Sequence, residues 1–267
     1  MLYIASATVV YSIIVALVYR FQRRLVYFPR PHIVQTPAML GLPYEDIWLD
    51  TPDGERLHGW YVPAPANRTT VLFLHGNGGN ISSHMDAVAA FHALGCNALY
   101  IDYRGYGQST GTPYEQGLYT DAATAWHYLT GTRGLTANNI IIVGRSLGGG
   151  VASWLALEYQ PRALILQATF TALVDVAAPR YPLLPVRWFI NEHFPTSKRL
   201  PQLQMPLLIV HPLEDRSVPF INGLHLYALA NEPRWFVELP RGTHRSAFVL
   251  CDEEHRAGLR AFLDRVL

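Results

Sequence analysis

Gly144-Arg145-Ser146-Leu147-Gly148 sets a hydroxyl between two glycines, each two residues away. Ile140 to Val143 ahead of it is an apolar run of strand length, and Leu147 to Tyr159 behind it has helical length. A strand that enters a helix through so tight a turn pushes the Ser146 side chain into the open, and the glycines let neighbouring backbone come close. The turn also puts the N–H of Leu147 at a helix start, where the dipole favours developing negative charge. This is the equipment of a nucleophile that attacks a carbonyl. A serine hydroxyl needs a base to activate it, and the base needs an acid to orient it.

In chains that use this strand–turn–helix, acid and base follow the serine in that order, on loops after later strands. Leu207 to Val210 leads into His211-Pro212-Leu213-Glu214-Asp215, which makes Asp215 the expected acid, with Glu214 its rival. Trp235 to Val237 leads into Pro240-Arg241-Gly242-Thr243-His244, where small residues let a loop carry an imidazole towards Ser146. His244 is the expected base, and His255 falls on the last helix. Leu74-His75-Gly76-Asn77-Gly78-Gly79-Asn80 follows an inner strand and should supply a second oxyanion donor. We assign it to the backbone N–H of Asn77 beside that of Leu147, with Gly78 as the alternative; His75 is expected to shape the loop. This glycine-rich loop has neither the Lys-Ser/Thr ending nor the G-x-G-x-x-G spacing of a phosphate cradle.

The elements that must position these residues form a repeating pattern. Ile47 to Leu49 and Leu57 to Val62 flank Pro52-Asp53-Gly54 as a hairpin. Beyond it, short apolar runs at Val71–Leu74, Ala98–Ile101, Ile140–Val143, Ala163–Leu166, Leu207–Val210 and Trp235–Val237 alternate with helical stretches. Strands this apolar, separated by helices, predict a mostly parallel central sheet covered on both faces. About 170 to 203 is expected to form a small helical lid, with prolines and large apolar groups mixed in Tyr181 to Ile190.

Leu2 to Tyr19 contains no charged side chain, and its 18 residues would span roughly 27 Å as a helix, close to the thickness of a bilayer core. Arg20, Arg23 and Arg24 follow directly. The expectation is an amino-terminal transmembrane helix over 1–24, a connector over 25–43 and a catalytic domain over 44–267 on the cytoplasmic side. The triplets at Asn67 and Asn80 would then escape glycosylation. Half the residues are apolar, 15% are charged and the formal charge is +1, so a large core is expected and a nucleic-acid partner is not. Cys96 and Cys251 are too few for a disulfide framework or a zinc site.

Together these motifs resemble the Bem-type, membrane-anchored branch of the α/β-hydrolases. The resemblance runs over most of the chain and includes Leu25-Val26-Tyr27-Phe28-Pro29, Thr51-Pro52-Asp53-Gly54, Asp102 to Gly111 and Val218-Pro219. It implies the α/β-hydrolase fold, a Ser146–Asp215–His244 triad, and relatives among thioesterases and lysophospholipase-like hydrolases. Pro212 stands where relatives usually have Gly, and Thr243-His244-Arg245-Ser246 departs from the usual sequence after the His. The Asp102 to Gly111 segment is expected to fix its loop and wall the pocket.

The expected reaction is hydrolysis of a carboxylic ester or thioester through an acyl-enzyme, with no metal or organic cofactor. An apolar lid next to a membrane anchor points to fatty-acyl substrates reached from the bilayer. Haloalkane dehalogenation is disfavoured, because it places a carboxylate where Ser146 stands. Two alternatives stay open. One is a peptidase that holds a substrate amine, for which Glu192 is the only acidic hint; the other is a membrane-tethered interaction protein that has lost activity.

Overall fold

The computed structural model describes residues 2–244 and 253–267, with the backbone alone for residues 2, 4, 5, 253 and 254. In chain order the strands are β1 (Phe28–Pro29), β2 (Glu45–Asp50), β3 (Arg56–Val62), β4 (Thr70–Leu74), β5 (Gly78–Gly79), β6 (Asn97–Ile101), β7 (Ile140–Arg145), β8 (Ala163–Gln167), β9 (Leu207–Pro212) and β10 (Arg234–Leu239). The helices are α1 (Leu2–Val26), α2 (Met85–Ala93), α3 (Glu115–His127), α4 (Leu147–Tyr159), α5 (Leu173–Arg180), α6 (Val186–Phe189), α7 (Thr196–Arg199), α8 (Ile221–Leu229) and α9 (Glu253–Val266).

Eight strands form one sheet in the order β2-β3-β6-β4-β7-β8-β9-β10. β2 and β3 are the expected antiparallel hairpin, β3 joins β6 antiparallel, and every pairing from β6 to β10 is parallel. Alternation along a strand sends neighbouring side chains to opposite faces. Leu72, Leu74, Ile142, Leu164 and Leu166 accordingly pack into one core with residues of α3 and α4. Their neighbours Val71, Phe73, Ile141, Val143 and Ile165 pack into a second core with residues of α2 and α9. Two covered faces are why these strands are apolar throughout rather than alternating.

Between β8 and β9 the chain forms α5, α6 and α7, the short helices of the lid. Proline caps two of them: Pro185 precedes α6 and Pro195 precedes α7.

The amino-terminal region differs from the expectation. Among the described residues no helix is long and apolar enough to cross a membrane, so the expected transmembrane helix is not shown. What is shown is a helix that touches the lid at points from Tyr11 to Arg23. Tyr11 Oη donates to the carbonyl of Leu183 (2.8 Å), the Tyr19 ring meets Phe189 edge-on, and Gln22 accepts from the N–H of Asn191 (2.7 Å). The connector is equally engaged. β1 pairs in parallel with β5, so Phe28 aligns with Gly78 and Pro29 with Gly79, inside the loop expected to supply the oxyanion donor.

Candidate active site

Ser146 is the single residue between β7 and α4, with φ 53° and ψ −119°. A side chain with positive φ is strained and persists only where surrounding structure enforces it. Here the Ser146 N–H donates to the carbonyl of Gln167 (2.9 Å), and its carbonyl accepts from Thr169 Oγ1 (2.7 Å) and from the Gly149 N–H (2.9 Å). The flanking glycines are required by space. A Cβ on Gly148 would stand 2.0 Å from the carbonyl oxygen of Leu74, and one on Gly144 would stand 2.4 Å from Cβ of Ala152. These close approaches are the physical content of the G-x-S-x-G pattern.

The structure brings Ser146, His244 and Asp215 together from three loops at the carboxyl ends of the parallel strands. His244 Nε2 lies 3.0 Å from Ser146 Oγ, and His244 Nδ1 lies 2.6 Å from Asp215 Oδ2. The carboxylate accepts from Nδ1–H, which leaves Nε2 as the acceptor facing the serine hydroxyl. Asp215 Oδ1 accepts from the N–H groups of Ser217 and Val218, both at 2.8 Å, which fixes the carboxylate. Glu214, the rival, points into solvent. His255 sits on α9, buried beside Gln167.

Asn77 lines the space next to Ser146, and its own fixings come largely from the amino-terminal arm. The carbonyl of Asn77 accepts from the Phe28 N–H (2.9 Å) and from Tyr106 Oη (2.8 Å), while Asn77 Nδ2 donates to the carbonyl of Val26 (2.7 Å). Gly78, the alternative donor, belongs to β5. Leu147 opens α4 and is buried beside the nucleophile. His75 is buried, with Nδ1 2.7 Å from the carbonyl of Gly76 and its ring against Tyr103; burial lowers its pKa, so it stays neutral. It shapes the loop.

The Asp102 to Gly111 segment fixes its own loop but does not wall the site. Asp102 Oδ1 accepts from the Ile81 N–H (2.8 Å), and Arg104 bridges Asp121 and Asp53. None of residues 102–111 lines the cavities beside Ser146.

Two cavities meet at the serine, sharing Phe28, Asn77, Ser146 and His244. The first, about 250 Å³, is apolar. One wall is the lid, with Leu173, Val176, Ala177, Leu184 and Phe189; the other is the amino-terminal helix, with Val18, Leu25 and Val26. The second, about 400 Å³, is the more polar of the two, with Arg30, Gly76 to Gly79, Ser83, His84 and Arg145 in its lining. The helix wall and Arg30 were missed in the sequence because an apolar leader looks the same whether it faces lipid or a cavity. The one available signal was Gln22, a polar residue embedded in the leader that turns out to be buried against the lid.

Glu192 is also placed by the structure, away from both cavities. It is buried, and its carboxylate accepts from Arg23 Nε (2.9 Å), from the Glu115 N–H (2.6 Å) and from Tyr27 Oη. It therefore ties the lid to α1 and to the start of α3.

Residues 65–212, just over half the chain, match the family model described as serine aminopeptidase, S33. The chain is 36% identical to the alpha/beta hydrolase domain-containing protein WAV2 of Arabidopsis thaliana, over 94% of this chain and 90% of that protein. It is 33% identical to protein bem46 of Schizosaccharomyces pombe, over 85% of this chain and 81% of that protein. Among solved structures, the Pyrococcus furiosus esterase Pf2001 superposes with a TM-score of 0.76 at 21% identity, over 90% of this chain and 97% of that one.

Proposed function

The chain belongs to the serine aminopeptidase S33 family of α/β-hydrolases, in its Bem-type branch, and we propose that it is a serine hydrolase of fatty-acyl esters or thioesters. The observation that carries this reading is the apolar cavity between lid and amino-terminal helix, which ends at Ser146. An acyl chain of the substrate lies in that cavity and delivers its carbonyl to the serine. His244 takes the hydroxyl proton as Ser146 Oγ attacks, and the charged imidazole is stabilised by Asp215. The N–H groups of Leu147 and Asn77 hold the oxyanion, each worth about 3 kcal/mol in such sites. The ester or thioester bond then breaks, His244 passes the proton to the departing oxygen or sulfur, and water releases the acyl group by the same route in reverse.

We further propose that α1 holds the enzyme in a bilayer, with the catalytic domain on the cytoplasmic side. Val9, Val10, Ile13, Ile14 and Leu17 present exposed apolar side chains. Next to them on the lid, Trp188 is 91% and Leu183 83% exposed, an arrangement that costs free energy in water and suits an interface. Arg20 and Arg24 at the helix end favour the cytoplasmic leaflet.

Aminopeptidase activity is the weaker reading, because holding a substrate amine calls for a carboxylate. Among the described residues no Asp or Glu lines either cavity, and Glu192 is committed to Arg23, Tyr27 and Glu115.

A fluorophosphonate probe should label the detergent-extracted protein, and Ser146→Ala should abolish labelling. A series of p-nitrophenyl esters and acyl thioesters should then favour medium or long chains over acetyl. A best rate on acetyl esters or aminoacyl amides would remove the fatty-acyl assignment while leaving the serine hydrolase in place.

A further inference from the structure

The polar cavity meets the apolar one at Ser146, so with an acyl chain in the apolar cavity it is the space open to whatever the acyl group is attached to. Its lining includes two guanidinium groups, Arg30 and Arg145, two small hydroxyl or amide side chains, Ser83 and Asn77, and the open backbone of Gly76 to Gly79. A hydrocarbon chain there would have to desolvate the exposed Arg30 cation, which favours the assignment of acyl chain to one cavity and leaving group to the other.

The two arginines are not equivalent. Arg145 is buried; burial draws its pKa down to about 9, which leaves it charged at neutral pH. Its Nη1 donates to Nδ1 of His84 (2.8 Å) and lies 3.8 Å from the Asp86 carboxylate, which offsets its charge. His84 itself is kept neutral by burial and by Arg145. Arg30 is exposed at the cavity, and its guanidinium has no hydrogen-bond or ion-pair partner among the described residues. Its backbone, by contrast, is clamped: the N–H donates to the carbonyl of Gly79 (3.0 Å), and the carbonyl accepts from Gly107 N–H (3.1 Å) and Asn80 Nδ2 (2.9 Å). A cation with a free head on a fixed base, beside a cavity that no acidic residue lines among the described residues, is complementary to an anion.

We propose that the polar cavity is the leaving-group subsite and that Arg30 selects substrates whose leaving alcohol or thiol carries a phosphate. The inference rests on Ser146 being the acyl-accepting nucleophile. Two sources share this chemistry, a glycerophosphate lipid and an acyl nucleotide thioester, and the test separates them.

The full-length protein in detergent is assayed on two matched pairs with one acyl chain: 1-acylglycerol 3-phosphate against monoacylglycerol, and acyl-coenzyme A against the acyl thioester of N-acetylcysteamine. In wild type the kcat/KM ratio of anionic to neutral partner exceeds one in at least one pair. Arg30→Gln lowers that ratio about tenfold or more, as loss of a charge-assisted contact should. Arg30→Glu lowers it further, and Arg30→Lys retains most of it. A drop confined to the first pair identifies a lipid phosphate, and one confined to the second a nucleotide thioester. An unchanged ratio in Arg30→Gln, or a wild-type preference for the neutral partner in both pairs, overturns the proposal. Calorimetric titration with glycerol 3-phosphate and with coenzyme A gives a readout independent of turnover. If Ser146 fails to label and no ester is hydrolysed, the enzyme reading falls. Binding lost in Arg30→Gln would still support the anion subsite, and no binding to wild type would overturn that too.

Discussion

Asp215 divides its two oxygens between two tasks, one receiving backbone N–H groups and the other facing His244. Under it lies His211, whose Nε2–H donates to the carbonyl of Val218 (2.9 Å) and so holds the turn that carries those N–H groups. Burial lowers the pKa of His211. The native state therefore binds its proton less readily than the unfolded chain does. The stability that follows is present above the unfolded value of about 6.5 and is lost as pH falls below it. His211→Gln keeps a donor in reach of Val218 but does not titrate. The difference in Tm between wild type and this variant should therefore shrink steadily from pH 7.5 to 5, measured by thermal melts; a constant difference would refute the linkage. At this scale the sequence was most informative where chemistry demands a residue type. Ser146, Asp215 and His244 could be named because each closes a strand in a recognisable pattern. Arg30 could not, because nothing in Phe28-Pro29-Arg30-Pro31 says which cavity lies beside it.

Among the elements, the tie between lid and α1 is concentrated on Glu192. Tyr27 is held protonated, its pKa raised by burial first and by the Glu192 carboxylate next, so it remains a donor to that carboxylate. Glu192→Ala would leave Tyr27 Oη buried without its acceptor, at about 1–3 kcal/mol, and would release the half-buried Glu115 N–H and the Arg23 guanidinium as well. We expect Tm to fall by about 5–10 °C, with Glu192→Gln falling less. The same change frees the two walls of the apolar cavity, so KM for long acyl esters should rise more than kcat falls; equal effects on short and long chains would contradict this. The strands and the hairpin were readable in the sequence because burial on two faces leaves long apolar runs, and proline marks two of the short helices between β8 and β9. β1 was not readable. Two residues carry no periodicity, and their pairing with β5 depends on a loop fifty residues away.

For the whole molecule, the division into anchor, connector and catalytic domain read from composition understates how far the first part enters the last. Val18, Gln22, Leu25 and Val26 line the apolar cavity, and the next strand braces the loop that carries Asn77. Two deletions separate the roles. Removing residues 2–17 should abolish flotation with lipid vesicles yet preserve hydrolysis of a soluble short-chain ester. Removing 2–26 should also cost about a hundredfold in kcat, comparable to loss of one oxyanion donor. Circular dichroism would verify that both forms fold; equal kcat for the two would show that the arm has no part in the site.

The bracing of Asn77 makes the site mechanically continuous with the helix. The Val26 and Phe28 contacts are 2.7 and 2.9 Å long. Sliding the helix along its axis by one residue, about 1.5 Å, is more than such bonds tolerate. The place of the Asn77 loop and the place of the helix end are thus a single coordinate, and one cannot shift without the other.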